Sequence, residues 1–281
     1  MKLLKGLKFF LAVILLNLPL LSNAQFKFEI KPFFSYFGDL RRYELGGNYA
    51  AANGVFNGVI PVYGYNNKYL GDSTMKRSLK SSPGFGASLG LAIPIISTGH
   101  ISLIAVSIHA MYNQYNWNDV NQGMNVDGSF KDAPKVLNAV TQQIALPFGL
   151  DWKVGCDAIC TKRLILGADV GVGAVPHLNL SSIPALSDVN AQQSFGLNPY
   201  VKGEVAFFLG MCVRVRAMYT MGNVELLNIK SQIPGYTDGP FRITNNSNMM
   251  VSFIIMPFSG KWHESAWYND YDSYNWNEHL N

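Results

Sequence analysis

Five histidines and three cysteines are the side chains of this 281-residue chain best suited to metal or nucleophilic chemistry. His109 shares a period-two face with Ser107, and His177 follows Pro176 at the start of a connection. A serine–histidine nucleophile needs a third group to orient the imidazole, and no spacing in the chain supplies one to either histidine. There is no HExxH, no CxxC and no P-loop, and the run Gly167-Ala168-Asp169-Val170-Gly171 alternates as a strand does instead of opening a helix onto a phosphate. The residues therefore predict no enzyme, no metal site and no cofactor. Cys156 and Cys160 lie close enough around one tight turn to pair in an oxidising compartment or to remain two thiols. Cys212 has no partner in the sequence and reads as a small buried apolar residue.

Ionisable residues at alternate positions are the second candidate. Glu29, Lys31, Asp151, Asp169, Lys202, Glu204, Arg214 and Arg216 fall on strand faces otherwise built from Gly, Ala, Ser and Gln. Such a face suits a crowded interior in which the charges form a self-neutralising network, since single buried charges are costly and paired ones are satisfied. The competing reading is a narrow ion path lined by Arg214, Arg216 and Lys202. Eight strands leave an interior just wide enough for side chains, which favours the network.

The elements that position these residues are period-two segments at 26–37, 85–95, 104–112, 140–153, 164–174, 195–207, 213–219 and 249–255. Connections after the first, third, fifth and seventh are long, and those after the second, fourth and sixth are short. That asymmetry is expected of a barrel inserted from one side, with long loops outside and short turns facing the periplasm. Only 14% of residues are charged, against roughly 25% in ordinary soluble domains. A soluble sandwich would carry Lys, Glu and Asp along its second face, so the apolar face is assigned to lipid. Phe26, Trp152 and Phe207 at one end of that face, and Tyr36, Phe85, Tyr112, Phe195 and Tyr219 at the other, are placed as two interfacial girdles.

Residues 1–24 read as a cleaved signal peptide, with Lys2, Lys5 and Lys8 before an apolar run that ends at Ser22-Asn23-Ala24. Removing those three lysines from 22 basic and 18 acidic residues takes the net charge from +4 to +1, so no nucleic-acid partner is expected. The high apolar content excludes a disordered chain.

With its export signal, its eight strands and a last strand ending Ile254-Ile255-Met256-Pro257-Phe258, the chain resembles the small outer-membrane β-barrel proteins of Gram-negative bacteria, in the broad OmpA-like or PorT-like sense. The resemblance implies an all-β, eight-stranded antiparallel up-and-down transmembrane barrel over residues 25–258, located in the outer membrane. Members commonly end at the terminal aromatic, whereas this chain continues to Asn281, and Pro257 is a second departure.

Two segments read as contact surfaces. The connection 38–83 carries Arg41, Arg42, Lys68, Lys76, Arg77 and Lys80 against Asp39, Glu44 and Asp72, interleaved with Tyr43, Tyr49, Tyr63, Tyr65 and Tyr69. Basic and aromatic residues together suit lipopolysaccharide phosphates or a partner surface, and equally a solvated loop. The tail 259–281 is acidic and aromatic, and Trp262, Trp267, Tyr268, Tyr271, Tyr274 and Trp276 are its candidate anchors for an envelope protein. The expected function is a non-enzymatic structural or interaction subunit of the cell envelope, with a small passive channel and a lipid-modifying enzyme as alternatives.

Overall fold

The computed structural model describes residues 42–65, 68–97, 102–118, 120, 123–125, 130–131, 138–159, 165–184, 191–229 and 241–259. Where small or polar residues alternate with apolar ones, the chain is extended: β1 (Tyr43–Tyr63), β2 (Tyr69–Ser82), β3 (Gly84–Ser97), β4 (Ser102–Trp117), β7 (Ala139–Ala145), β8 (Phe148–Gly155), β9 (Leu166–Ser182), β10 (Gln192–Phe208), β11 (Cys212–Ile229) and β12 (Phe241–Met256). Two short strands, β5 (Gly123–Asn125) and β6 (Phe130–Lys131), form a side hairpin, and one helical turn, Cys156–Ile159, follows β8.

Neighbours in sequence pair antiparallel all the way round, and β1 closes on β12 from Leu45↔Ile255 to Gly58↔Phe241. β2 with β3, and β7 with β8, each act as one strand interrupted at a proline, Pro83 or Pro147. Proline brings no N–H to the ladder. Around Pro147 the gap is bridged by the His109 amide donating to the Pro147 carbonyl (2.8 Å) and the Leu146 amide donating to the Pro176 carbonyl (2.9 Å). At the other break only glycine fits: a Cβ on Gly84 would lie 1.5 Å from the Gln114 carbonyl oxygen. The protein is thus an eight-stranded antiparallel up-and-down barrel, closed and without an open sheet edge along its shared ring.

Both ends of the ring's chain, at Tyr43 and Met256, emerge at one end, called lower here. The connections at that end are 98–101, 156–165 and 209–211, and those at the upper end are 64–68, 118–138, 183–191 and 230–240. One expectation is corrected. Segment 38–83 is not a loop: from Tyr43 onward it supplies the ring's first strand and the upper half, β2, of its second, while 26–37 lies outside the described residues. The upper halves of β1 and β2 pair from Asn53↔Lys80 to Tyr63↔Tyr69, and β2 touches β4 only at Ser81 and Ser82. They form a ribbon that rises past the ring.

Side-chain direction follows the pleat. On β10 the outward residues from Phe195 to Phe207 include Leu197, Val201 and Val205, none of them charged, while Asn198, Tyr200, Lys202 and Glu204 turn inward and are buried. Those 12 residue steps span roughly 40 Å of strand at about 3.3 Å each, or close to 28 Å along a barrel axis inclined by about 45°. The same outward belt continues through Val170 and Val172 on β9, Val215 on β11, Phe253 on β12 and Leu150 on β8. Aromatics mark its margins, with Trp152 and Phe207 below and Phe195, Tyr112, Tyr219 and the edge-to-face pair Tyr49–Phe85 (5.7 Å) above. Above them the exposed positions turn polar, at Asn53, Asn57, Lys76 and Lys80. No helix among the described residues is long and apolar enough to cross a membrane.

Candidate functional site: a charged, filled lumen

The register of four strands builds the site. Lys153 on β8 stands opposite Asp169 on β9, which stands opposite Glu204 on β10, which stands opposite Arg216 on β11, so one inward row carries two adjacent carboxylates flanked by two bases. Lys153 Nζ donates to Asp169 (2.5 Å) and Asp157 (3.1 Å). Lys202 Nζ donates to Asp151 (2.7 Å) and Glu204 (2.8 Å), and Arg216 Nε donates to the same Glu204 oxygen (2.7 Å). Across the lumen, Glu44 at the foot of β1 accepts from Arg214 at Oε1 and from Arg216 at Oε2, each at 2.5 Å, and Oε2 also lies 3.1 Å from His109 Nε2. Arg214 also pairs with Asp157.

All of these side chains are buried, Lys153 and Arg216 completely. Five carboxylates (Glu44, Asp151, Asp157, Asp169, Glu204) face four strong bases (Lys153, Lys202, Arg214, Arg216), with His109 beside Glu44. Near-neutrality of this kind makes burial of so many charges tolerable. Asp157, below the strands, is pushed by burial above the usual carboxylate range, while the charges of Arg214 and Lys153 pull the other way.

Glycines leave the room that these pairs need. Gly171 sits between Asp151 and Lys202 in their row, and a Cβ there would lie 2.3 Å from Asp151 Oδ1 and 2.6 Å from Lys202 Cε. Gly90 does the same between Glu44 and His109, where a Cβ would come within 2.3 Å of the imidazole. In both cases the bare backbone lets partners two strands apart meet over it.

Of the residues expected to share the lumen, Asp151, Asp169, Lys202, Glu204, Arg214 and Arg216 come together, whereas Glu29 and Lys31 lie outside the described residues. Three members escaped the sequence reading. Lys153 shares the face of Asp151 and was recoverable from parity alone. Glu44 falls within the segment expected to be a loop, and Asp157 belongs to a turn with no period to betray it. Glu44 also supplies His109 with the third group that spacing did not reveal. Ser107, His109 and Glu44 are all buried among the described residues. The tail residues Trp262, Trp267, Tyr268, Tyr271, Tyr274 and Trp276 lie outside the described residues, as do Cys160 and Arg41.

Oxygens of Asp157, Asp169 and Glu204 come within 4.8 Å of one another, a spacing that a divalent ion could use. The Lys153 ammonium already occupies that position, within 3.1 Å of both aspartates. The cluster therefore holds an internal cation.

Above the charges the lumen is closed by apolar packing of Phe56, Trp117, Ile183, Leu227 and Ile243, all buried. Two bulges in β11, after Met221 and after Glu225, turn Val224, Leu226 and Leu227 inward to join them, and Gly222 adopts φ +138° at the first. A polar sleeve lines the same height. Trp117 Nε1 donates to Thr141 Oγ1 (3.1 Å), Tyr115 donates to Gln143 (3.2 Å), and Gln143 donates to Asn179 (3.0 Å). Between sleeve and network lies a cavity of about 10 Å³ bordered by Met111, His177, Met218 and Met250, room for about one water.

The basic residues of 38–83 divide. Arg42 is buried and donates to the Ala158 carbonyl (3.2 Å), and Arg77 lies over the Phe56 ring (5.7 Å), so Lys68, Lys76 and Lys80 are the ones that face solvent. Cys212 is a free, buried residue of an apolar cluster, as expected, and Cys156 belongs to the same cluster.

No protein-family model and no curated protein matches the chain. Among solved structures it is similar to the outer membrane protease OmpT from Escherichia coli (7% identity, TM-score 0.34, covering 76% of this chain and 96% of that one). It is also similar to Neisserial surface protein A (8%, 0.30, 74% and 96%) and to Ail, the attachment invasion locus protein of Yersinia pestis (8%, 0.28, 76% and 98%). The barrel is defined by its own strand pairing.

Proposed function

We propose that the protein is a non-enzymatic β-barrel of the outer membrane whose lumen is a structural filling and whose working surface is its upper end. The observation that carries this reading is the combination of a closed ring, an uncharged outward belt and an interior packed with paired charges below and apolar side chains above. Lipid is the solvent that such a belt needs, and closure leaves no unpaired strand edge within it. The upper ribbon extends past the belt and carries exposed Lys68, Lys76 and Lys80 together with exposed Tyr65 and Tyr69. That chemistry suits lipopolysaccharide phosphates or an acidic face of another envelope protein.

The test is binding of the refolded barrel in detergent to lipopolysaccharide. The natural chain should bind, and the Lys68→Ala, Lys76→Ala, Lys80→Ala triple variant should bind several-fold more weakly while keeping a folded band on unboiled gels. Equal binding by both chains would remove the ribbon from the account.

A further inference from the structure

The lower end of the barrel joins two parts of the chain through paired contacts. Cys156 opens the helical turn below β8, and Cys212 opens β11. Both are reduced thiols in the structure, fully buried in one small cluster with Ala206, Phe208 and Met256. The next residue in one segment, Asp157, pairs with Arg214 two residues along in the other, so the same segments are clamped a second time by charge. Beneath them the Cys212 amide donates to Ser259 Oγ (2.6 Å), which donates on to the Met256 carbonyl (2.7 Å).

We infer that Cys156 and Cys212 are joined by a disulfide in the mature protein, a clasp between the turn below β8 and the start of β11 that closes the floor of the charged lumen. Its formation in the cell rests on the envelope reading above, because exported compartments oxidise thiols and the cytosol keeps them reduced. The chemistry is thiol–disulfide exchange with a disulfide-bearing protein oxidant before the barrel closes. One cysteine thiolate attacks the oxidant disulfide and displaces one of its sulfurs as a thiolate, and the second cysteine thiolate then displaces the other. The oxidant S–S bond breaks, the Cys156–Cys212 bond forms, both cysteines are oxidised, and the two cysteine protons end on the two reduced oxidant sulfurs. Once the barrel is closed, burial shields the bond from further exchange. The join also skips Cys160, the nearer neighbour of Cys156 in sequence.

Trypsin releases Cys156 and Cys160 together in peptide 154–162 and Cys212 in peptide 203–214. The measurement is mass spectrometry of the alkylated, unreduced digest, made on two samples: the full chain taken from cell envelopes, and the full chain refolded in detergent with oxidised and reduced glutathione. We expect the two peptides joined in both samples, one alkylated cysteine in the joined species, separation on reduction, and the same join in Cys160→Ser, which leaves only Cys156 to form it. Three alkylated cysteines in both samples, a bond within peptide 154–162, or loss of the join in Cys160→Ser would each overturn the proposal. A join in the refolded protein alone would uphold the pairing and count against the envelope reading.

Discussion

At the scale of single residues, the lumen is governed by what happens when one charge loses its partner. Arg216 serves Glu44 and Glu204 at once, so Arg216→Met leaves two buried carboxylates short of a base. The expected cost is about 3–5 kcal/mol, and the double variant Arg216→Met, Glu204→Met should recover part of it because a buried pair replaced by apolar groups is often near neutral. Urea titration of the folded band on unboiled gels reads both, and a single variant as stable as the parent would dissolve the network argument. The glycines make a second test. Gly171→Ala drives a methyl into Asp151 and Lys202 and should cost roughly 1–3 kcal/mol. Gly203→Ala, whose Cβ has its nearest neighbour 4.0 Å away at the Asp169 carbonyl oxygen, should change stability little in the same titration. The charges on β8 to β11 were legible from parity, because each strand there alternates without a break. Glu44 and Asp157 were not, since the first sits at the foot of a strand with Gly46 and Gly47 just above it and the second in a turn.

At the scale of the element, the strand faces decide what the barrel touches. Val172 on β9 pairs with Val201 and Leu150 in mid-belt, whereas Leu178 pairs with Phe195 and Ile144 near the upper aromatic margin. Val172→Arg should cost roughly 2–4 kcal/mol in a bilayer, and Leu178→Arg only about 0–1 kcal/mol. Folding in lipid vesicles against urea makes the comparison, and equal penalties at both depths would mean that the belt does not lie in lipid. Seven of the eight ring strands follow segments whose apolar alternation is visible in the sequence. β1 is the exception for a physical reason: its outward face passes from Tyr49 through Ala51 to Asn53 and Asn57 as it leaves the belt, and its inward face holds small Ala50 and Ala52. Alternation read as hydrophobic contrast fades along such a strand even though the pleat continues. The upper part of β11 was hidden differently, because two bulges reset which residues face inward.

At the scale of the whole molecule, the orientation proposed above puts the ribbon of the closed barrel outside the cell. Lys76 and Arg77 are held in β2, so trypsin added to intact cells should cut after Lys68, in the connection 64–68, and should leave the lower connection 156–165 whole. Cleavage confined to 156–165 would invert the orientation. The central claim is that the interior is filling and not a path, since Phe56, Trp117, Leu227 and Ile243 close it above a network whose charges answer one another. Single-channel recording in planar bilayers, on protein whose unboiled gel band shows it folded, tests that claim most directly. The account predicts a flat baseline with no discrete steps, in the natural chain and in Arg216→Met, Glu204→Met alike; regular ohmic steps from the folded natural chain would contradict it.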